Sequence, residues 1–134
     1  MRIQEIVEVR TEEKEQFIDI TSQINRILRA SEIKNGLCNV YVPHTTAGVT
    51  INEGADSAVV FDILTYLRQS VPESNNYTHM EGNSHAHIKT LLTGSEKTIP
   101  VQNGSLQLGT WQKVFFCEYD GPRRRKFLIT IVPA

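Results

Sequence analysis

The stretch KVFFCEYDGPRRRKFLITIV, residues 113–132, holds two β-rich runs on either side of an Asp-Gly-Pro turn. Val, Ile, Phe and Tyr crowd both runs, the composition that suits a pleated surface packed on one or both faces. Asp120 can bond its own backbone, Gly121 relaxes the steric limits and Pro122 presets φ, so the turn has a mechanism. Strands therefore close the chain. Cys117 lies inside the first run, as Cys38 does inside GLCNVYV. Two cysteines without CxxC spacing make neither a disulfide framework nor a zinc knuckle, and both read as reduced core residues.

Upstream of this stretch, SEKTIPV and SLQLGTW flank Asn103-Gly104, a pair that suits a type I′ hairpin because both turn residues need positive φ. Ser84 as N-cap, Ile88, Leu91 and Leu92 at helical spacing, and Gly94 as a stop predict a short helix. Val59, Val60, Ile63, Leu64 and Leu67 predict a longer one, running from Asp56 to just before Val71-Pro72. Between the two lies PESNNYTHMEGNS, the longest loop, and loops of that length are usually functional or mobile.

Residues 37–42 read as a strand ending at Pro43, and residues 48–51 as another extended piece after a break at HTTA. Thr21 as N-cap with Ile24, Ile27, Leu28 and Ile33 predicts a first helix that Asn35-Gly36 stops. Ile3, Val7 and Val9, with Ile6 after a slip, and then QFIDI beyond the charged TEEKE, predict an opening β-hairpin. The resulting order ββαββααββββ favours an α+β fold: a single domain over residues 1–134 with a mixed, mainly antiparallel sheet and two to three helices.

A net charge of −1 over 134 residues argues against neutralising a phosphate backbone as the main business, so no nucleic-acid partner is expected. The first residues carry charges every few positions, with no apolar signal-peptide core, and no run is long enough to span a bilayer. A soluble, cytoplasmic protein without a membrane partner is the expectation.

Three of the four histidines sit in two short segments, His44 in PHTTAG and His85 with His87 in GNSHAHIK. Imidazole titrates near neutrality and is the commonest metal ligand, so these segments are the candidate site, for which His44, His87 and His85 are candidate metal ligands. If Ser84 caps a helix, His85 and His87 lie about 200° apart around its axis and chelate one ion poorly. If the segment is extended, both imidazoles share a face and can bind together. Asn83, Glu53 and Glu118 are possible oxygen ligands or partners to the ligands, and Glu53 is also a candidate catalytic carboxylate. The competing role of Glu53 is to complement the dipole of the helix that follows.

Thr45, Thr46 and Gly48 follow His44 at a strand break, where hydroxyls and close backbone approach can hold a phosphate, or can simply build a tight turn. Arg123, Arg124, Arg125 and Lys126 form the only basic run; guanidinium forks suit phosphate, but such a run is more often a solvated hairpin tip. Trp111 reads as a core or subunit-interface residue, and His79 as a loop residue.

Taken together, HTTAGVTINEGAD, GNSHAHIKTLLTG, the TIPV and LGTWQ blocks, VFF and DGPRRR resemble the YjbQ-like family over nearly the whole chain. These are small, widespread, largely uncharacterised proteins, some described as secondary thiamine-phosphate synthases. The resemblance implies an α+β fold around a mixed sheet and a homotrimer with clefts between subunits. The family's HT[ST]A block falls on His44, Thr45, Thr46 and Ala47, its INE block on Ile51, Asn52 and Glu53, and its AHIK block on Ala86, His87, Ile88 and Lys89. At the position of His85 the family accepts other residues, proline among them, which makes His44 and His87 the core of the site.

Thiamine-phosphate synthesis joins a pyrimidine pyrophosphate to a thiazole phosphate, and a divalent metal normally neutralises the leaving pyrophosphate. The chain shows no acidic magnesium motif, and its histidines suit zinc or a similar ion. The expectation is a metal-dependent enzyme with weak activity of this kind on small phosphorylated metabolites. His44, His87 and Glu53 would be catalytic, and Thr45, Thr46, Asn83 and Arg123 would hold the phosphate. The alternative is a non-enzymatic trimeric module that binds a phosphorylated ligand in the same pocket.

Overall fold

A computed structural model describes residues 2–134. Eleven elements follow in order: β1 (Ile3–Arg10), β2 (Gln16–Asp19), α1 (Thr21–Ser31), β3 (Gly36–Tyr41), β4 (Ala47–Glu53), α2 (Ser57–Ser70), α3 (Ser84–Thr93), β5 (Glu96–Gln102), β6 (Ser105–Leu106), β7 (Gln112–Glu118) and β8 (Arg124–Pro133). The fold is α+β, as expected. The strands form two sheets rather than one: five strands in the order β1-β8-β3-β5-β6, and three in the order β2-β7-β4. Every pairing is antiparallel.

Strand β7 explains why two sheets form. Val114 and Phe116 point to one side, into a core shared with Phe127, Ile129 and Ile131 of β8, Cys38 and Val40 of β3, and Ile24 and Leu28 of α1. Phe115 and Cys117 point to the other side, where Tyr119, Leu67 of α2 and Ala86 of α3 complete a second core. A strand buried on both faces reads as an unbroken apolar run, which is how VFFC reads. The layers are thus the five-stranded sheet, the three-stranded sheet, and then α2 with α3. Cys38 and Cys117 are free and buried.

The opening hairpin does not form. β1 pairs with β8 and β2 with β7, so residues 11–15 carry the chain from one sheet to the other. Nor do β7 and β8 pair, because the Asp-Gly-Pro turn makes a second crossing between the sheets. The slip in β1 is absent as well: Val7 and Val9 face the core while Ile6 keeps outward parity and is exposed. The Asn103-Gly104 hairpin is present, with both residues at positive φ between β5 and β6.

Helix starts differ by one residue from the expectation. Thr21 is the first residue of α1, not its cap, and its hydroxyl accepts the Val114 N–H at 2.8 Å, tying the helix to β7. Ser84 is likewise the first residue of α3, after Asn83. The amphipathic reading of α3 is inverted. His85, Ala86, Lys89 and Thr90 are buried, while Leu91 and Leu92 are 79% and 61% exposed. Trp111 is exposed, so the core role is excluded for it. Among the described residues, no helix is long and apolar enough to cross a membrane.

Candidate functional site

His44 lies in the connection from β3 to β4, where the chain passes between sheets. Its Nε2 accepts the Lys126 backbone N–H at 3.0 Å, so that nitrogen carries no proton and the ring's proton sits on Nδ1. Burial, and then the charge of Arg125, hold its pKa below the ordinary histidine value. The ring opens on a cleft of about 510 Å³ lined by Glu8, Val9, Arg10, Arg124, Arg125 and Lys126.

The basic run is therefore not a solvated hairpin tip. β8 begins at Arg124, and alternation sends Arg125, Phe127 and Ile129 to the core side while Arg124 and Lys126 keep outward parity. In the register Arg10 stands directly opposite Arg124, and Glu8 opposite Lys126. Two arginines in opposed positions repel one another. An anion between them would turn that repulsion into attraction.

Arg125 is carried inward and needs a counter-charge. It finds Glu118, which β7 projects toward the same core: Nε donates to Oε1 at 2.8 Å and Nη2 donates to Oε2. Thr11 Oγ1 donates to Oε1 at 2.8 Å, and the Asp120 N–H donates to Oε2 at 3.0 Å. Burial pushes the Glu118 carboxyl up, but Arg125, Asp120 and Thr11 together hold it below the ordinary value. Arg125 also donates to Thr46 Oγ1 at 2.8 Å, so this ion pair anchors the segment that carries His44.

The expected phosphate ligands are mostly engaged elsewhere. Thr46 is buried on Arg125, and only Thr45 is exposed. The close approach at Gly48 is to the end of α3: a Cβ there would lie 2.5 Å from the Gly94 carbonyl oxygen, and the Val49 N–H donates to that same oxygen. Arg123 folds onto its own turn, donating to the Asp120 carbonyl at 2.7 Å and to its carboxylate. Asn83 donates to Asp120 Oδ2 at 2.9 Å, and its buried Oδ1 has no partner among the described residues. Glu53 ends β4 at the edge away from His44, roughly 20 Å along the strand at about 3.4 Å per residue, and the subunit does not bring the two together.

The histidines fall in three separate places. His85 and His87 are the second and fourth residues of α3, so the helical alternative holds and they face different ways. His87 opens with Ser84 and Ile88 on a cleft of about 520 Å³ beneath residues 76–79. His85 is 1% exposed and faces a third cleft, where its Nδ1 lies 3.1 Å from Lys89 Nζ. Lys89, buried to the same degree, donates to Glu15 Oε2, and Arg68 of α2 donates to Glu15 Oε1 at 2.7 Å. Among the described residues, no group of three His, Cys, Asp or Glu side chains is placed to hold a metal ion within the subunit.

Arg10 and the inward Arg125–Glu118 pair escaped the sequence reading. Parity was the available signal: counted back from Phe127, Arg125 belongs to the core-facing row, and counted on from Phe116, so does Glu118. Nothing in the sequence placed Arg10 opposite Arg124, because strand pairing is not local.

A single α+β chain of two antiparallel sheets with a cationic histidine cleft is the class that fold and site define. The family model for UPF0047 protein YjbQ-like matches residues 5–134, and the chain belongs to that family. A UPF0047 protein of Methanocaldococcus jannaschii is 48% identical over 125 residues, covering 93% of this chain and 91% of its own length. YugU of Bacillus subtilis is 42% identical over 127 residues, covering 94% and 96%. Among solved structures, an uncharacterised family member from Clostridium acetobutylicum superposes with a TM-score of 0.93 at 47% identity, covering 95% and 98%. A protein of unknown function from Sulfolobus solfataricus reaches a TM-score of 0.96 at 34% identity, covering 100% and 99%.

Proposed function

We propose that the protein is a metal-dependent enzyme acting on a small phosphorylated metabolite, with the phosphate seated in the His44 cleft, and that it works as a cytoplasmic homotrimer. The observation that carries this reading is the cross-strand facing of Arg10 and Arg124, with Arg125 and Lys126 beside them and Glu8 as the opposing charge. Guanidinium forks match phosphate oxygens, and a dianion relieves the repulsion built into that register. His44 sits at the same cleft with Nε2 held by the Lys126 backbone N–H, leaving Nδ1–H to donate a hydrogen bond to a phosphoryl oxygen and so stabilise its charge.

The imidazole of His87 is the seat for a divalent ion, zinc or similar, as suits a nitrogen donor. Within one subunit the His87 cleft and the His44 cleft share no lining residue, so an ion bound there would supply positive charge to a pyrophosphate in the His44 cleft of a neighbouring copy of the trimer. Thiamine-phosphate synthase-like transfer is the named candidate reaction. Leu91 and Leu92, exposed on α3, support self-association, since a second copy would take them out of water.

Calorimetric titration with inorganic pyrophosphate tests the cleft. Binding is expected for the native chain and about tenfold weaker binding for Arg124→Ala, the factor that loss of one charge-assisted hydrogen bond gives. Equal binding by both removes the cleft from the proposal. A turnover assay with the pyrimidine pyrophosphate and the thiazole phosphate separates the two functional readings. Turnover lost in His44→Ala supports the enzyme, whereas pyrophosphate binding with no turnover supports the non-enzymatic module. Light scattering at three times the chain mass is the expected result for the assembly.

A further inference from the structure

His79 lies in a loop, as its sequence context predicts, and there it meets His87. The two ring centroids are 5.4 Å apart and the planes cross at 85°. The thirteen residues between α2 and α3 fold back to bring this about. Tyr77 Oη donates to the Pro72 carbonyl at 2.7 Å, and the Gly82 N–H donates to the His79 carbonyl at 3.2 Å, closing a turn over residues 79–82.

We propose that His79 and His87 together form a two-nitrogen seat for zinc or a similar transition ion, in the cleft between residues 76–79 and the start of α3. This rests on the metal half of the functional reading and replaces His85 as the partner of His87. The spacing is the one such a seat needs. Two imidazoles bound at about 2.0–2.1 Å to one tetrahedral ion hold their ring centres roughly 5 Å apart. The pair is open to solvent, since the His79 side chain is 43% exposed, and the cleft around it carries the polar side chains of Asn76, Thr78 and Ser84.

The carboxylate of Glu81 stands 3.7 Å from His79 Nε2. At that distance the carboxylate adds negative charge beside the seat without a hydrogen bond to the ring, so the His79 imidazole is not tied up by it. His85 has no such freedom, because its Nδ1 is engaged by Lys89 in a different cleft. Two protein nitrogens are fewer than the three protein ligands of an ordinary catalytic zinc site, so the remaining positions of the ion are left to water and to oxygen ligands from outside the cleft.

Cobalt(II) titration of metal-free protein, followed by its visible absorption and by zinc competition, tests the seat without any turnover. His79→Ala and His87→Ala are each expected to lower zinc affinity by about tenfold or more, while His85→Gln keeps the native value. Circular dichroism melts confirm that each variant is folded, and exposed His79 is the variant least able to disturb the core. Native zinc affinity in His79→Ala, with loss in His87→Ala, overturns the pairing and leaves the functional reading standing. No zinc binding by the native chain overturns both the pairing and the metal half of that reading, and pyrophosphate binding at the His44 cleft then judges the rest separately.

Discussion

Arg125 and Glu118 show what one inward charge demands. Both occupy core-facing positions, and each is satisfied only by the other together with Thr11, Thr46 and the Asp120 N–H. Glu118→Gln leaves a buried guanidinium without its counter-charge, and denaturant unfolding is expected to show a loss of about 3–5 kcal/mol. Glu118 and Glu15 both have folded-state pKa values held below the ordinary carboxylate value; burial opposes the shift in each, and Arg125 and Asp120 in one case, Lys89 and Arg68 in the other, prevail. Groups of this kind stabilise the fold fully above the unfolded-state value of about 4.3 and lose that contribution as pH falls through the depressed folded value. Native stability should therefore decline below about pH 4.5, and decline less steeply in Glu118→Gln. An unchanged slope would mean that other carboxylates carry the acid sensitivity. The ion pair was open to inference from parity. His79 was not, because its neighbour depends on how a thirteen-residue loop folds back, and loop conformation has no period to read.

Elements were legible where a local pattern carries them. The two closing strands, read as residues 113–119 and 126–132 and found at Gln112–Glu118 and Arg124–Pro133, the Asn103-Gly104 hairpin and the extent of α3 follow from period, turn chemistry and stop signals, although β8 takes in Arg124 and Arg125, which the sequence assigned to the turn. What failed was partnership. Adjacent strands joined by polar turns read as hairpins, but β1 and β2 pair with strands roughly a hundred residues away, since both sheets need an edge strand and the first segments supply one each. The face of α3 failed for a related reason. Periodicity assigns apolar positions to the core, whereas Lys89 is held inside by Glu15 and His85 lies against Lys89, and Leu91 and Leu92 are left outside. Where β4 passes α3, Gly48 is required by contact rather than by conformation. Gly48→Ala places a Cβ 2.5 Å from the Gly94 carbonyl oxygen, and thermal melts are expected to report a cost of about 1–3 kcal/mol. A neutral result would show that α3 can shift away from the strand without loss.

For the whole molecule, the arrangement separates the cationic cleft from the histidine pair. The first is walled by the ends of β1 and β8 and the second by α3 and the loop before it, with no lining residue in common. In the subunit these are two places, not one, which is why the reading of three clustered imidazoles holds in the chain but not in space. Strand β7 joins the two halves, since Phe116 belongs to one core and Phe115 to the other. Phe115 and Phe116 tie both cores to this strand and to its hydrogen bonds with β2 and β4, and the two cores are expected to melt as one cooperative unit. Native-state amide exchange should find the slowest protons of the chain at residues 114–117, released only by global unfolding. Faster exchange there than in β8 would mean that the three-stranded sheet detaches first. If β7 sets the latest step of opening, α2 and α3 stay closed on it through Leu67 and Ala86, and movement to admit a ligand falls to the loop bearing His79, which contributes no residue to either core.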